Sequence, residues 1–479
     1  MKIQDTLRDK KIEIKKDKEN HMFVCGPTVY DYSHIGHART YLVFDLFVRY
    51  LKSQDFKIKY VQNITNIDDK IIERGKKQNK NPLKIADKFE KKYYQDMENL
   101  GIDTVDHYVK ATDVIPEIIS QVKKLIEKDF AYQTKTGIYF KVRKFKDYGK
   151  LSNQDIDALK SGSRVKTAED KEDPLDFALW KLNQPKSKIK PDKKQPIFIN
   201  NEPAWKSPWG WGRPGWHIED TAISEKFFGP QYEIHGGAED LKFPHHESEI
   251  AQQEAASGKK PFVKIWMHTG FLTVESKKMG KSLHNFITIR DFLKNHAPET
   301  LRFMVMSHHY RSRFDYTKEA IKKAKESLET IKTFVHKTHF TTQKTNNEKN
   351  KKEIQKEIQN AKENFHQSIQ NDFNTPQALG ILFKLIKKYQ NKIWNLSSKN
   401  AKELGQFITQ TMQIFGFSIN KYQPPKKIKK LIKERNKLRD NKQFIKSDKL
   451  REKIQELGYE IEDTPLGSFT HKIKEKNNV

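Results

Sequence analysis

The chain has 479 residues, a length that predicts about three domains, and its 91 Lys and Arg against 62 Asp and Glu give a net charge of +29. This charge indicates a polyanionic partner such as nucleic acid, although a compositional preference for lysine would also explain much of it. The single cysteine, Cys25, excludes an internal disulfide, and we expect a soluble, cytoplasmic protein because the sequence offers neither a signal peptide core nor an apolar run of about 20 residues.

The first predicted unit is a β-α-β element near the N-terminus. A strand over residues 21–25 is followed by a loop, a long apolar helix from about Ile35, and a second strand over residues 57–64. His34, Gly36 and His37 form an HIGH string where the helix begins, and a helix N-terminus offers free N–H groups to phosphate. Gly36 would let a nucleotide approach the backbone, and the two histidines could donate to phosphate oxygens. Capping or surface histidines are the alternative interpretation.

The pattern changes between this unit and residue 200. Helical periodicity over residues 82–100 and 114–129 precedes a strand over residues 137–142, and residues 184–196 form a Pro- and Lys-rich loop. We interpret residues 91–200 as an insertion between two halves of one domain.

A possible metal site follows. A strand from Tyr232 ends in Gly236 and Gly237, and a helix is expected to begin near Pro244. His245 and Glu249 lie four residues apart, so they share one helical face and could bind one metal ion. A capping or solvated pair is the alternative.

A lysine-containing loop, residues 278–282, follows a strand predicted over residues 263–274. It places Lys278 and Lys281 on a turn with Gly280. Mobile cations suit a pyrophosphate leaving group, because they can close on it as it departs. A solvated basic loop would have the same composition.

The rest of the chain reads as helical. A long helix is predicted over residues 318–337, a polar turn over 341–352, and further helices to about residue 415. Pro424 and Pro425 mark a boundary, and a strongly basic stretch follows.

Several segments together resemble the cysteinyl-tRNA synthetases, a family of class I aminoacyl-tRNA synthetases. They are CGPTVYDYSHIGHART, NITNIDDK, SPWGWGRPGWHIE, HGGAEDLKFPHHESE, the lysine loop KMGKS, YGKLS, NDFNTPQAL and EDTPLG. The resemblance extends along essentially the whole chain in order. It implies an α/β fold with a Rossmann-like catalytic domain in two halves, 1–90 and 201–300, around the connective insertion 91–200. A helical domain, 301–420, and a small C-terminal anticodon-binding domain, 421–479, would follow.

The resemblance also implies the reaction and its residues. Cysteine would be activated by ATP, accompanied by Mg²⁺, and then transferred to tRNA(Cys), and we expect a monomer. The catalytic positions are His34, His37, Lys278 and Lys281. Gly36, Gly236 and Asp240 match further ATP-binding positions, with Asp240 near the ribose. Cys25, Thr65 and Trp216 match positions around the amino acid.

The sequence departs from the family at one metal-binding position. The family binds zinc with two cysteines, a histidine and a glutamate, and Cys25, His245 and Glu249 occupy three of these positions. The fourth is Asp220. An aspartate oxygen can bind zinc at about 2.0–2.2 Å, so we expect zinc to be retained, while an absent or weakly held ion is the alternative.

Two other functions remain compatible with parts of the sequence. One is a ligase that joins activated cysteine to an amino sugar, which would lack the basic C-terminal module present here. The other is a non-catalytic RNA-binding relative, which would be expected to carry damaged HIGH or lysine-loop residues, whereas both are intact.

Overall fold

A computed structural model describes residues 1–156, 170–185, 196–280, 283, 285–345, 347, 352–420 and 422–472. The chain forms two compact units. The first comprises Met1–Pro298 with Tyr310–Tyr316, and the second comprises Glu299–His309 with Thr317–Val479.

The first unit contains sixteen of the strands in the described residues, numbered here in chain order. They are β1 (Lys2–Asp5), β2 (Lys10–Glu13), β3 (Glu19–Val24), β4 (Lys57–Ile64), β5 (His107–Lys110), β6 (Ala131–Gln133), β7 (Gly137–Phe140), β8 (Phe177–Leu182), β9 (Ile197–Ile199), β10 (Glu202–Ser207), β11 (Gly210–Pro214), β12 (Tyr232–Ala238), β13 (Val263–Thr269), β14 (Leu272–Val274), β15 (Lys277–Lys278) and β16 (Phe314–Tyr316). Its helices are α1 (Ile35–Ser53), α2 (Asp69–Gln78), α3 (Pro82–Asn99), α4 (Ile115–Glu127), α5 (Ile218–Phe228), α6 (Glu247–Ser257) and α7 (Ile289–Asn295).

A five-stranded parallel sheet organises this unit. Its strand order is β13-β12-β3-β4-β5, and every neighbouring pair is parallel. Both halves of the predicted catalytic domain therefore contribute to one sheet, which brings the carboxyl ends of β3 and β12 side by side. In open parallel sheets this is the edge at which ligands bind.

The predicted β-α-β unit is present with small changes at its ends. α1 begins at Ile35 and β4 spans Lys57–Ile64, as expected, whereas β3 begins at Glu19 and ends one residue before Cys25. α1 is buried along most of its length, so its apolar residues lack a strong one-sided pattern and the helix is enclosed by the unit's core.

One prediction in the second half was wrong in detail. The strand expected over 263–274 is two strands, interrupted at Gly270, where a Cβ atom would lie 2.6 Å from the Arg311 carbonyl oxygen. The approach of another backbone segment explains this break. The helix expected near Pro244 is present as a π-helical turn over Lys242–His246, kinked at Phe243 (φ −136°, ψ 133°), which continues into α6 at Glu247.

A six-stranded antiparallel sheet, in the order β6-β7-β8-β11-β10-β9, lies within the first unit. Its last strand in chain order, β11, ends at Pro214, and the end of the insertion near residue 200 stays a prediction. Asp69 at the start of α2 forms ion pairs with Lys181 of β8 and Arg213 of β11. Most of the Pro- and Lys-rich stretch predicted as a loop, residues 184–196, lies outside the described residues.

The second unit is mainly helical. It contains most of α8 (Pro298–Met306), followed by α9 (Lys318–Lys344), α10 (Lys352–Gln370), α11 (Thr375–Tyr389), α12 (Ser398–Ile414), α13 (Lys426–Asp440), α14 (Phe444–Glu456) and the hairpin β17 (Tyr459–Thr464) and β18 (Gly467–Lys472). α9 continues to Lys344, into the segment predicted as a polar turn. The boundary predicted at Pro425 is the residue immediately before α13.

An ion pair between the buried Arg435 side chain and the partly exposed Asp463 links α13 to the C-terminal hairpin. Both terminal guanidinium nitrogens of Arg435 donate to the Asp463 carboxylate, at 2.7 and 2.8 Å. Arg435 is thus a structural cation, while Lys430, Lys433 and Lys437 on the same helix are exposed. Across the part of the chain that the structure describes, every helix is too short or too polar to traverse a lipid bilayer.

Candidate active site and metal centre

Cys25, immediately after β3, lies at the centre of a buried polar cluster. Its thiol donates to Asp220 Oδ2 at 3.2 Å and lies 3.7 Å from Glu249 Oε1. His245 Nε2 is 3.0 Å from the same oxygen of Asp220 and 2.9 Å from Glu249 Oε1. The four residues that the sequence suggested as metal ligands are therefore brought together, from segments that are distant in the chain.

Each ligand candidate is carried by a different local structure. Asp220 lies in the first turn of α5, Glu249 in the first turn of α6, and His245 in the turn that precedes α6. All four side chains are buried, with exposed fractions of 5% or less. His245 lies in the helical turn Lys242–His246 that leads into α6, so His245 and Glu249 meet as an i, i+4 pair.

The electrostatics of this cluster favour the binding of a cation. Burial, reinforced by Glu249 and Asp220, raises the pKa of the Cys25 thiol well above its usual range. Burial also raises the pKa of Glu249, against the effect of His245. Burial alone would lower the pKa of His245, but Glu249 and Asp220 outweigh it and raise that pKa. Three acidic groups and one basic group thus share a space without water access.

Two orphaned oxygens indicate where a cation fits. Asp220 Oδ1 and Glu249 Oε2 are buried and have no hydrogen-bond partner in the described part of the chain, and His235 Nε2 lies 3.4 Å from Glu249 Oε2. Because a buried, unsatisfied carboxylate oxygen is costly, a metal ion in this cluster would satisfy atoms that the protein alone does not. The donor set of one sulfur, one nitrogen and two carboxylate oxygens is compatible with zinc.

A second donor set overlaps the first. Cys25 Sγ lies 3.3 Å from His235 Nε2 and 3.1 Å from His246 Nε2. Among the described residues, Cys25, His235, His246 and Glu249 form one group that could hold a metal ion, and the Asp220-containing set forms the other. Sequence reasoning missed His235 and His246 as neighbours of Cys25.

These extra histidines are held in defined orientations. His235 Nδ1 is 2.6 Å from the Tyr232 hydroxyl, and His246 Nδ1 is 2.8 Å from His268 Nε2. Burial lowers the pKa of His235, His246 and His268 well below the usual range, so these rings are neutral at pH 7. The sequence held part of the signal, since His235 and His268 lie in the neighbouring strands β12 and β13, whereas His246 lies in the turn before α6. Periodicity alone gave no reason to place them together.

The HIGH string caps α1. His34 is the N-cap residue, and its Nδ1 accepts hydrogen bonds from the N–H groups of Gly36 (3.1 Å) and His37 (3.3 Å). His37 Nδ1 accepts from the His34 N–H at 3.4 Å, and the two rings stack with centroids 3.7 Å apart. Both the capping interpretation and a phosphate-facing role are compatible with this geometry, because capping uses only one nitrogen of each ring.

Glycines around α1 are explained by close packing. A Cβ atom at Gly36 would lie 2.9 Å from the His34 ring, and one at Gly236 would lie 2.3 Å from the Phe44 ring. Gly236, which we predicted to contact ATP, therefore has a structural reason to be glycine. This packing also lets β12 approach α1 closely.

The residues predicted around the amino acid lie beside the cluster. Thr65 donates its hydroxyl to the buried carboxylate of Glu219. The Trp216 ring stacks on His245, with centroids 4.4 Å apart and planes 19° apart, and 38% of Trp216 remains exposed. Trp216 thus covers one side of His245 and presents its other side outward.

The lysine loop is only partly described. Lys278, in β15, stacks its ammonium on the Phe271 ring at 5.0 Å. Burial raises the pKa of Asp240, and the Lys278 ammonium opposes this rise. Lys281, the other predicted catalytic lysine, lies outside the described residues. The structure therefore brings Lys278 and Asp240 near each other but does not place the second cation.

Comparison with known proteins identifies the family. The model of the tRNA synthetases class I (C) catalytic domain matches residues 11–326, and the DALR domain matches residues 364–420. A cysteine--tRNA ligase from Methanococcus maripaludis (strain C7) is 42% identical over 480 residues, which cover 97% of this chain and 98% of that protein. A cysteine--tRNA ligase from Pyrococcus abyssi is 42% identical over 489 residues, covering 99% of both chains.

Solved structures agree on the fold. Mycobacterium tuberculosis methionyl-tRNA synthetase in complex with methionyl-adenylate superposes with a TM-score of 0.58 at 10% identity, over 83% of this chain and 89% of that one. The near-complete coverage by cysteine--tRNA ligases, which includes the C-terminal helices, does not favour the amino-sugar ligase or the non-catalytic relative. The chain belongs to the cysteine--tRNA ligase family of class I aminoacyl-tRNA synthetases.

Proposed function

We propose that the pocket at the carboxyl ends of β3 and β12 activates L-cysteine with ATP and Mg²⁺ and then transfers it to tRNA(Cys). The observation that carries this proposal is the Cys25 cluster. It lies at the same sheet edge as the capped N-terminus of α1, since Cys25 and His34 belong to the single loop between β3 and α1. One pocket can therefore receive the amino acid side chain at one end and phosphate at the other.

In the first step, a carboxylate oxygen of cysteine attacks the α-phosphorus of ATP, and pyrophosphate leaves with the bonding electron pair. Negative charge grows on the phosphate oxygens as this happens. Because Nδ1 of His34 and of His37 accepts a backbone N–H, each neutral ring carries its proton on Nε2 and can donate it to phosphate. Lys278 and Lys281 supply positive charge to the departing pyrophosphate.

In the second step, a hydroxyl of the terminal ribose of tRNA attacks the carbonyl carbon of cysteinyl-adenylate, and AMP leaves. For Asp240, whose carboxylate interacts electrostatically with Lys278, we propose that it accepts a hydrogen bond from the ribose of ATP. The exposed lysines of α13 offer charge to the phosphates of tRNA, and they belong to the compact unit that does not contain the Cys25 cluster. Amino acid activation should therefore tolerate changes in α13 that impair charging.

At the amino acid end, we propose that Cys25, Asp220, His245 and Glu249 hold a zinc ion. When bound, zinc supplies a soft Lewis acid that prefers the thiolate of cysteine to the protonated hydroxyl of serine. Trp216 forms an aromatic wall next to His245, and the hydrogen bond from Thr65 to Glu219 orients the threonine side chain beside the pocket.

Substitution of Asp220 tests this centre. The purified protein is expected to contain about one zinc per chain, measured by elemental analysis. Asp220→Ala removes one donor, so zinc content and cysteine affinity should fall together, while discrimination against serine in pyrophosphate exchange should weaken. Asp220→Cys restores a thiolate and should hold zinc more tightly in a chelator competition.

A surface carboxylate provides the matched control. Asp129, in the predicted insertion, forms an ion pair with Lys141 at 2.8 Å and is not one of the cluster residues. Asp129→Ala should therefore keep wild-type zinc content and exchange rate. A wild-type protein that contains no zinc and still charges cysteine rather than serine would exclude the metal centre. It would leave the adenylation chemistry of His34 and His37 to be tested separately.

A further inference from the structure

Residues 286–290, called here the post-loop segment because they follow the lysine loop, pair with the backbone around His34. The N–H of Ile35 donates to the carbonyl of Ile287 at 3.1 Å, and the N–H of Ile289 donates to the carbonyl of Ser33 at 2.9 Å. These two bonds flank His34 on both sides. The position of the HIGH string is therefore set partly by a segment from the second half of the catalytic domain.

Side chains extend this contact. The Phe286 ring meets the His34 ring edge to face, with centroids 5.1 Å apart, and Thr288 faces His34 across an antiparallel bridge. The post-loop segment thus packs against His34. A shift of that segment would move His34 directly.

Arg290 ends the post-loop segment and makes contacts in two directions. Its guanidinium carbon lies 5.5 Å from the centre of the Tyr32 ring, which is two residues before His34. On the other side, its Nε is 3.0 Å from Asp96 Oδ1, and its Nη2 donates to the Lys92 carbonyl at 3.2 Å and to Gln95 Oε1 at 3.1 Å. Arg290 therefore links Tyr32 to the last turns of α3.

Asp96 is the acidic partner of Arg290. The Asp96 side chain is completely buried, whereas 30% of the Arg290 side chain is exposed. Burial raises the pKa of Asp96 to about 6, and Arg290 and Lys92 act against that rise. Within the described residues, neither Asp96 oxygen nor Arg290 Nε has a hydrogen-bond partner, so their contact is an ion pair by distance. It keeps the guanidinium beside α3, because a buried carboxylate is costly without a nearby cation. The planar guanidinium can then stack on Tyr32.

We propose that Arg290 is a positioning residue for cysteinyl-adenylate formation, which holds Tyr32 and the post-loop segment so that His34 stays in place for the reaction. This inference rests on the proposed role of His34 in adenylation. Arg290 acts through Tyr32 and the paired backbone, and it contacts protein groups: Tyr32, Asp96, Lys92 and Gln95. Its loss should therefore lower the rate of the chemical step more than it changes cysteine binding.

The test is a burst measurement on the full-length protein. Adenylate formed in the first turnover gives the number of competent sites from its amplitude and the rate of the chemical step from its time course. Arg290→Gln should lower the burst rate about 10-fold or more, because small misplacements of a catalytic group carry large rate penalties. The amplitude and the KM for cysteine should stay within about twofold of wild type.

A conservative variant and a double variant distinguish a positioning role of Arg290 from a simple loss of stability. Arg290→Lys keeps the charge beside Asp96 but lacks a planar group for Tyr32, so it should recover the burst rate only in part. Asp96→Asn should slow the burst as well, and the double variant with Arg290→Gln should be no slower than the worse single variant. Lys294→Gln, on the same helix in an exposed pair with Asp291, is the matched control and should behave as wild type.

The outcomes separate this inference from the proposed function. If His34→Ala slows the burst and Arg290→Gln leaves both rate and amplitude unchanged, Arg290 has no positioning role. A loss of amplitude with an unchanged rate in Arg290→Gln would assign it to folding and would also overturn the inference. If His34→Ala itself has no effect on the burst, the proposed adenylation role of the histidines fails first.

Discussion

Replacement of Gly26 by alanine should damage the site through the backbone. Gly26 follows Cys25, and its N–H donates to Asn63 Oδ1 at 2.5 Å. A Cβ atom at this position would lie 1.8 Å from the Asn63 carbonyl oxygen and 2.9 Å from the carbonyl carbon. Since carbon and oxygen atoms in close contact are usually about 3.3 Å apart, the chain would have to move by roughly 1.5 Å.

That movement has two expected consequences. Overpacking of this kind costs about 1–3 kcal/mol of unfolding free energy. Because Cys25 is the adjacent residue, its thiol would also leave the position from which it contacts Asp220, and a displacement of about 1 Å at a reacting site can cost about 100-fold in rate. Gly26→Ala should thus lower cysteine-dependent pyrophosphate exchange by about 100-fold and reduce the denaturant midpoint.

A second glycine supplies the control. Gly380 lies on the exposed face of α11, and a Cβ atom there would meet nothing within 4 Å. Gly380→Ala should therefore leave exchange unchanged and stabilise the protein by about 0.5–1 kcal/mol, since glycine is a poor helix former. Wild-type exchange and an unchanged denaturant midpoint in Gly26→Ala would refute the steric reasoning.

Three further predictions concern catalysis by Lys281, tRNA binding by α13 and the pH dependence of stability. Lys281→Ala should reduce the exchange rate by about 100-fold with little change in the KM for cysteine, because its charge acts chiefly in the transition state, and near-normal exchange would remove its catalytic assignment. The triple change of Lys430, Lys433 and Lys437 to Gln should weaken tRNA charging and flatten its dependence on salt without affecting exchange, and unimpaired charging would exclude RNA contacts on that face of α13. Burial and the charge of Lys70 lower the pKa of His37 to about 4, below the value of about 6.5 expected in the unfolded chain. Between these two pKa values the unfolded state therefore binds more protons than the folded state. The contribution of His37 to stability is complete above about pH 6.5 and is lost as the pH falls toward 4. Denaturant titrations at several pH values should find this dependence diminished in His37→Gln.

Part of the site could be predicted from the sequence because its information is local. The start of α1 at Ile35 follows from a long apolar stretch after a turn-rich loop, and the strand Lys57–Ile64 follows from a short strand-like run. The pairing of His245 with Glu249 follows from helical spacing. The family followed from ordered motifs, and the comparisons confirm it over almost the full chain.

Local patterns were insufficient where a distant segment set the outcome. The break at Gly270 depends on the approach of the Arg311 backbone. α9 continues into residues that looked like a polar turn, because the buried Thr338 and Thr341 extend its packed face. The composition of a segment indicates its own preference for helix, strand or turn, but it does not indicate which distant residues pack against that segment.

The sequence by itself determined the family, the order of the motifs and the departure at Asp220. Only the tertiary structure decided what surrounds Cys25. Parallel strand order places β12 beside β3, which brings His235, and with it His246, within 3.3 Å of the Cys25 sulfur. The physical reason is that hydrogen-bonded strand pairing and core burial fix distances between residues that are about 200 positions apart, and no local periodicity encodes such distances.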